Sequence, residues 1–126
     1  MATEALENLR VYRAAEELSD AVWDAVAAWD GFAKNAVGLQ LVRAADSIGA
    51  NIAEGYGRAS FADNRRFVAI ARGSLMETRH FLRRAHRRNL LTTAQTDRLR
   101  ALLDPLPKQL NAYLKSIGRT QMTSDH

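Results

Sequence analysis

Residues 39–77 read LQLVRAADSIGANIAEGYGRASFADNRRFVAIARGSLME, two helical stretches joined by a glycine-rich elbow at Gly55-Tyr56-Gly57. At about 100° per residue, Leu41, Ala45, Ile48 and Ile52 share one side of the first stretch, an apolar face at i, i+4, i+7 and i+11. Arg43, Ser47, Asn51, Glu54 and Arg58 fall nearly opposite, in an ordered polar stripe. Two readings of that stripe stay open. It is either a solvated face, or a hydrogen-bonded seam against a neighbouring helix or subunit, since buried polar groups need partners. In the seam reading, Arg43, Asn51 and Glu54 pair with Ser74, Glu77 or Arg72 of the next helix and fix its register, as a buried polar residue does in a coiled coil. Beside the apolar face, Gly38, Val42, Ala45, Gly49, Ala53 and Tyr56 form a stripe of low bulk. Each interior glycine costs roughly 1 kcal/mol of helix stability, so this stripe predicts a groove in which another helix backbone approaches closely.

Working outward, the same period places a first helix over residues 9–29. Val11, Ala15, Leu18, Val22, Val26 and Trp29 make its inner stripe, with Glu16, Glu17, Asp20 and Asp24 on the far side. Tyr12 and Trp23 share a flank outside both. They belong either to the edge of the helical packing or to an oligomer interface, where such aromatics are enriched. Asp30-Gly31 is expected to stop this helix, with the glycine in the left-handed cap. The second helix spans 34–56, and Ser60 with Asp63 opens a third over 61–88. The third helix turns Phe67, Ile70, Ala71, Ser74, Thr78, Phe81, Leu82 and Ala85 inward. Arg65, Arg72, Arg79, Arg83 and Arg87 lie nearly opposite and span roughly 33 Å at 1.5 Å per residue. Thr92 and Gln95 offer a capping box for a fourth helix over 93–117.

That last helix contains Pro105 and Pro107, each lacking a backbone donor. Even so, Leu99, Leu102, Leu103, Leu106, Leu110, Tyr113, Leu114 and Ile117 keep one helical phase through them, which predicts a kinked but continuous helix. The alternative is a second half-helix capped by Asp104, with proline tolerated in its first turn. Residues 118–126 read as a flexible polar tail. The expectation is one all-α domain over 1–126, an antiparallel up-down-up-down four-helix bundle.

Composition narrows the functional classes. The chain has 126 residues, 47% hydrophobic and 25% charged, which suits a globular protein with one core. It has no cysteine, which excludes disulfides, thiolate metal sites and a cysteine nucleophile. Its start lacks the basic and apolar runs of a signal peptide, and no run approaches the ~20 apolar residues of a membrane span. Cytoplasmic residence is expected. The formal net charge of +4 conceals a gradient. Residues 1–31 carry seven acids against Arg10 and Arg13, whereas 58–88 carry nine arginines against Asp63 and Glu77. Such asymmetry serves contact between acidic and basic elements, or an anionic ligand.

Catalytic patterns fail on their geometry. Glu77-Thr78-Arg79-His80 is the E-x-x-H of carboxylate-bridged metal bundles, but those sites need inward glutamates from the remaining helices, and the fourth helix has neither glutamate nor histidine. Ser47 and Ser74 have no histidine at a suitable position. No strand precedes the glycine elbow, so it does not read as a phosphate loop. No metal, no cofactor and no enzymatic activity are expected.

Arg43-Ala44-Ala45-x-Ser47-Ile48-x-x-Asn51-Ile52-Ala53-Glu54-Gly55-x-Gly57-Arg58 resembles the central motif of the 23S rRNA-intervening-sequence protein family. The likeness extends to Leu9-x-Val11-Tyr12 and to Arg66-Phe67-x-x-Ile70-Ala71-Arg72-Gly73-Ser74-Leu75-x-Glu77, covering roughly 9–117. The resemblance implies a left-handed four-helix bundle that assembles into a homo-oligomer, a pentameric ring above others, and it carries no biochemical activity with it. A related bundle group, similar in being basic and ring-forming, assists retroelement reverse transcriptases, an analogy that points toward nucleic acid. The arginine stripe then has two readings, a solvated outer face or a track for phosphates, to which arginine binds bidentately. With no aromatic stacking platform, binding of RNA or DNA is expected to be backbone-driven and sequence-tolerant. The alternative is a protein–protein adaptor or scaffold with no nucleic-acid role.

Overall fold

In the computed structural model, which describes residues 6–119, the long helical stretches fold against one another. They are α1 (Arg10–Ala27), α2 (Leu39–Tyr56), α3 (Phe61–Arg87), α4 (Thr93–Leu103) and α5 (Leu106–Ser116). Among the described residues there is no strand. The longest contact runs between α2 and α3; α1 packs on α2, α4 and α5, and α5 also touches α3. Leu18, Val22, Leu41, Ile48, Ile52, Val68, Leu75, Leu106 and Leu110 are wholly buried where these faces meet. Each such side chain contributes about 1.5–3 kcal/mol by leaving water. Nearly all of the expected tail, 118–126, lies outside the described residues.

The first turn differs from expectation. Gly31 does not take a left-handed cap, because Asp30 acts as an N-cap and Gly31 opens a new helical turn, Gly31–Ala33. The Asp30 carboxylate accepts from the Ala33 N–H at 2.8 Å. One π-helical turn, Lys34–Gly38, then leads into α2. Replacing Asp30 by alanine is expected to cost about 1 kcal/mol, read from the midpoint of a urea melt.

The low-bulk stripe of α2 is filled from within the chain, by α1. A Cβ on Gly38 would lie 2.7 Å from the Val26 side chain, and Gly49 faces Tyr12 and Ala15. Ser19 of α1 donates a hydrogen bond to the Asp46 carboxylate of α2 along the same contact.

The inner face of α3 is rotated from the expected one. Val68, Ala71, Leu75, Thr78, Leu82 and Ala85 are buried, whereas Ile70 is exposed and Phe67, Ser74 and Phe81 are only partly covered. Phe67 is drawn to the flank by two cations, with the Arg58 and Arg66 guanidinium carbons 4.8 and 4.6 Å from its ring centroid. Thr78 lies in the core because its hydroxyl donates to the Ser74 carbonyl at 2.8 Å.

Through the prolines, Asp104 and Pro105 keep right-handed helical dihedrals. The Asp104 N–H still reaches the Arg100 carbonyl at 2.9 Å. The regular bonding lapses only at 104–105, where α4 gives way to α5. Leu99, Leu103, Leu106, Leu110 and Ile117 accordingly stay on one buried face, and Asp104 does not serve as the cap of α5.

Candidate functional site

The C-terminal end of α3 is closed by a left-handed asparagine. Asn89 has φ 61°, the Leu90 N–H reaches the Ala85 carbonyl at 3.0 Å, and the Asn89 N–H reaches that of His86 at 3.1 Å. This double closure satisfies the last carbonyls and reverses the chain sharply. Thr92 and Gln95 then cap each other reciprocally and start α4. From there α4 leans on α1, and it is α5 rather than α4 that packs on α3.

Between the end of α3 and α4 a groove of about 420 Å³ is left open. Arg79, Arg83, Arg84 and Arg87 line it from α3, with His86 beside them, and Arg100 lines it from α4. Its floor is Leu82, Leu91, Leu99 and Leu103; Thr96 and Asp104 complete the lining. Five guanidiniums thus share the groove with one carboxylate. Among the described residues none of the five makes a salt bridge, the recorded pairs being Arg58 with Glu54 and Arg66 with Asp63. A cluster of unneutralised guanidiniums around a concavity raises the local positive potential and offers forked donors to phosphate oxygens.

The arginine stripe read from the sequence divides in space. Arg79, Arg83 and Arg87 line the groove, and Arg72 is exposed on α3 outside it. Arg65 serves a different end of the molecule, donating to the Ile117 carbonyl at 3.2 Å. There the chain leaves α5 through Gly118, at φ +89° and against Phe61. Arg84, His86 and Arg100 were missed. The first two lie off the centre of the stripe, and Arg100 belongs to a helix whose orientation depends on the turn before it.

Two contacts of the polar stripe are local, within α2 and the turn that follows it. Asn51 donates to the Ser47 carbonyl at 2.8 Å, and Glu54 pairs with Arg58 at 3.0 Å. Arg43 and Glu77 are exposed. The pairing across to α3 is made by Arg58 on the Phe67 ring instead of by the Ser74 or Glu77 side chains. Tyr12 is half-buried against Gly49; burial, reinforced by Glu16 and Glu7, holds its phenol above the ordinary value. Trp23 is 61% exposed and borders a shallow apolar groove of about 290 Å³ with Val26, Leu39 and Val42. Among the described residues no group of three or more His, Asp or Glu side chains is placed to hold a metal ion, and no helix is long and apolar enough to cross a membrane.

Residues 7–112 match the model of a family described as 23S rRNA-intervening sequence protein. No curated protein matches the chain.

Proposed function

The chain belongs to the 23S rRNA-intervening sequence protein family, and we propose that it is a non-enzymatic, single-domain cytoplasmic protein that assembles with copies of itself and binds the backbone of RNA or DNA along the arginine face of α3. The observation that carries this reading is the set of five guanidiniums around one groove, without salt bridges among the described residues. α1, α2, α3 and the α4–α5 rod form an antiparallel, left-handed four-helix bundle. Its copies close into a ring, a pentamer first among the options, with Tyr12 and Trp23 at the contact and the exposed Arg43 of the α2 polar stripe available to bridge subunits. The acidic outer face of α1 in one copy then complements the basic α3 of the next. A ring repeats the arginine face and multiplies its potential.

Purified protein is expected to retain labelled RNA at about 50 mM salt and to lose it steeply toward 200 mM, as counterion release requires. Light scattering with and without nuclease measures the assembly and any co-purifying nucleic acid together. Failure to retain RNA or DNA at about 50 mM salt overturns the reading. The adaptor reading draws on Trp23, Phe32 and Leu39, all exposed near the start of α2; a partner protein held through nuclease treatment and high salt favours it.

A further inference from the structure

The basic groove has a feature that a phosphate track does not need. Its floor is made of leucines, of which Leu82, Leu99 and Leu103 are buried residues of the core and Leu91 is half-covered. Its cations stand on two walls, Arg83 and Arg87 on α3 and Arg100 on α4. A duplex presents phosphates on a convex surface with its bases stacked inside, so it meets the outer arginines and leaves the floor wet. A single strand offers both chemistries at once, charged phosphates and a base free to leave water. The volume, about 420 Å³, falls in the range of small-ligand pockets and suits one nucleotide unit. Guanidinium planes also stack on splayed bases, as does an imidazole such as that of His86, so the lining offers stacking partners without a Phe, Tyr or Trp ring.

We propose that the groove between the C-terminal half of α3 and α4 receives one unpaired nucleotide of an RNA or DNA strand, its base on the leucine floor and its flanking phosphates on Arg83, Arg87 and Arg100. This rests on the nucleic-acid reading above and deepens it, since it makes single strands and loops the preferred ligand over duplex. Selectivity among the four bases is weak, because leucines offer no hydrogen bonds to a base edge.

Thr96 sits on the groove and is half-buried, its hydroxyl donating to the Thr92 carbonyl. The test compares a 12-nucleotide single-stranded RNA with a duplex of the same length, on wild type, Thr96→Trp and Thr96→Ala. Tryptophan fills the groove without removing a charge, and alanine leaves it open while removing the same hydroxyl. The wild type is expected to bind the single strand about tenfold more tightly than the duplex, the scale of one inserted base. Thr96→Trp abolishes that preference and leaves duplex affinity within about twofold, and Thr96→Ala behaves as wild type. A strand carrying 2-aminopurine brightens on wild-type protein as the base leaves its stack, a readout that holds even where Thr96→Trp fails to fold. Equal affinity for both ligands, or an unchanged 2-aminopurine signal, overturns the groove proposal and leaves the arginine-face reading standing. Absence of binding to either ligand overturns both. Displacement of the strand by free nucleoside monophosphate at equal phosphate concentration also overturns it, by assigning the groove to a small molecule.

Discussion

Reversing Arg79, Arg83 and Arg87 to glutamate together lowers RNA affinity by more than about 100-fold near 100 mM salt and flattens the salt dependence by about two units of log–log slope. The three positions follow one another at i, i+4 and i+8, so their charges reach ligand from one side of α3 and all line the same groove. Each phosphate contact on a single strand contributes about 0.7 to the slope, and reversal adds repulsion to the loss. The fold is expected to survive the change. All three side chains are exposed and make no salt bridge among the described residues. The like-charge spacing already present is only exchanged for its opposite. The one intrinsic cost is glutamate in the last turn of α3, roughly 0.3–1 kcal/mol against the helix dipole. Circular dichroism therefore stays helical while filter retention collapses. Arg65→Ala is the internal control. It removes the bond to the Ile117 carbonyl and is expected to lower the melting temperature while leaving RNA retention intact, because Arg65 lies away from the groove. Unchanged retention by the triple variant removes the arginine face of α3 from the function.

The sequence made the two central faces legible because both follow a plain helical period. Every residue of the α1 stripe, Val11, Ala15, Leu18, Val22, Val26 and Trp29, is buried, as are Leu41, Ala45, Ile48 and Ile52 of α2. The face of α3 was harder to read, since Phe67 and Ile70 pull a helical wheel toward themselves. A large apolar residue counts as inward on a wheel, yet Phe67 is stabilised at the flank by two guanidiniums and Ile70 is left exposed. Phase alone carried the fourth rod through Pro105 and Pro107, because proline removes a donor without obliging the backbone to leave helical dihedrals. The groove itself was illegible. Three of its five guanidiniums were visible as a stripe, but a concavity exists only where α4 leans away from α3. That lean is set jointly by the left-handed Asn89 turn and by contacts of α4 with α1, distant in sequence. The residues missed, Arg84, His86 and Arg100, are those whose role depends on it.

Gly55→Ala and Gly73→Ala are chemically the same change in helical backbone, and they are expected to move stability in opposite directions. At Gly73, a Cβ meets nothing within 4 Å. Alanine there removes the entropic penalty of glycine in the interior of α3 and raises stability by about 0.5–1 kcal/mol. At Gly55, the last turn of α2 passes directly over the first turns of α3. A Cβ would lie 2.7 Å from the Asn64 Oδ1, 2.8 Å from the Phe67 Cβ and 3.0 Å from the Asn64 carbonyl oxygen. Two of these neighbours are fixed to backbone, so no rotamer change relieves the clash and the two helices must part. Overpacking of this kind costs typically 1–3 kcal/mol, and displacing Phe67 also disturbs its contacts with Arg58 and Arg66. The helix-propensity gain of alanine, about 1 kcal/mol, offsets only part of that. A net loss of about 1–2 kcal/mol lowers the melting temperature by roughly 4–10 °C for a domain of this size. The elbow is remote from the arginine groove, so Gly55→Ala protein that remains folded is expected to bind RNA with wild-type affinity. Two melting curves that shift the same way show that the close approach of α2 to α3 does not limit stability, because helix propensity alone then accounts for both.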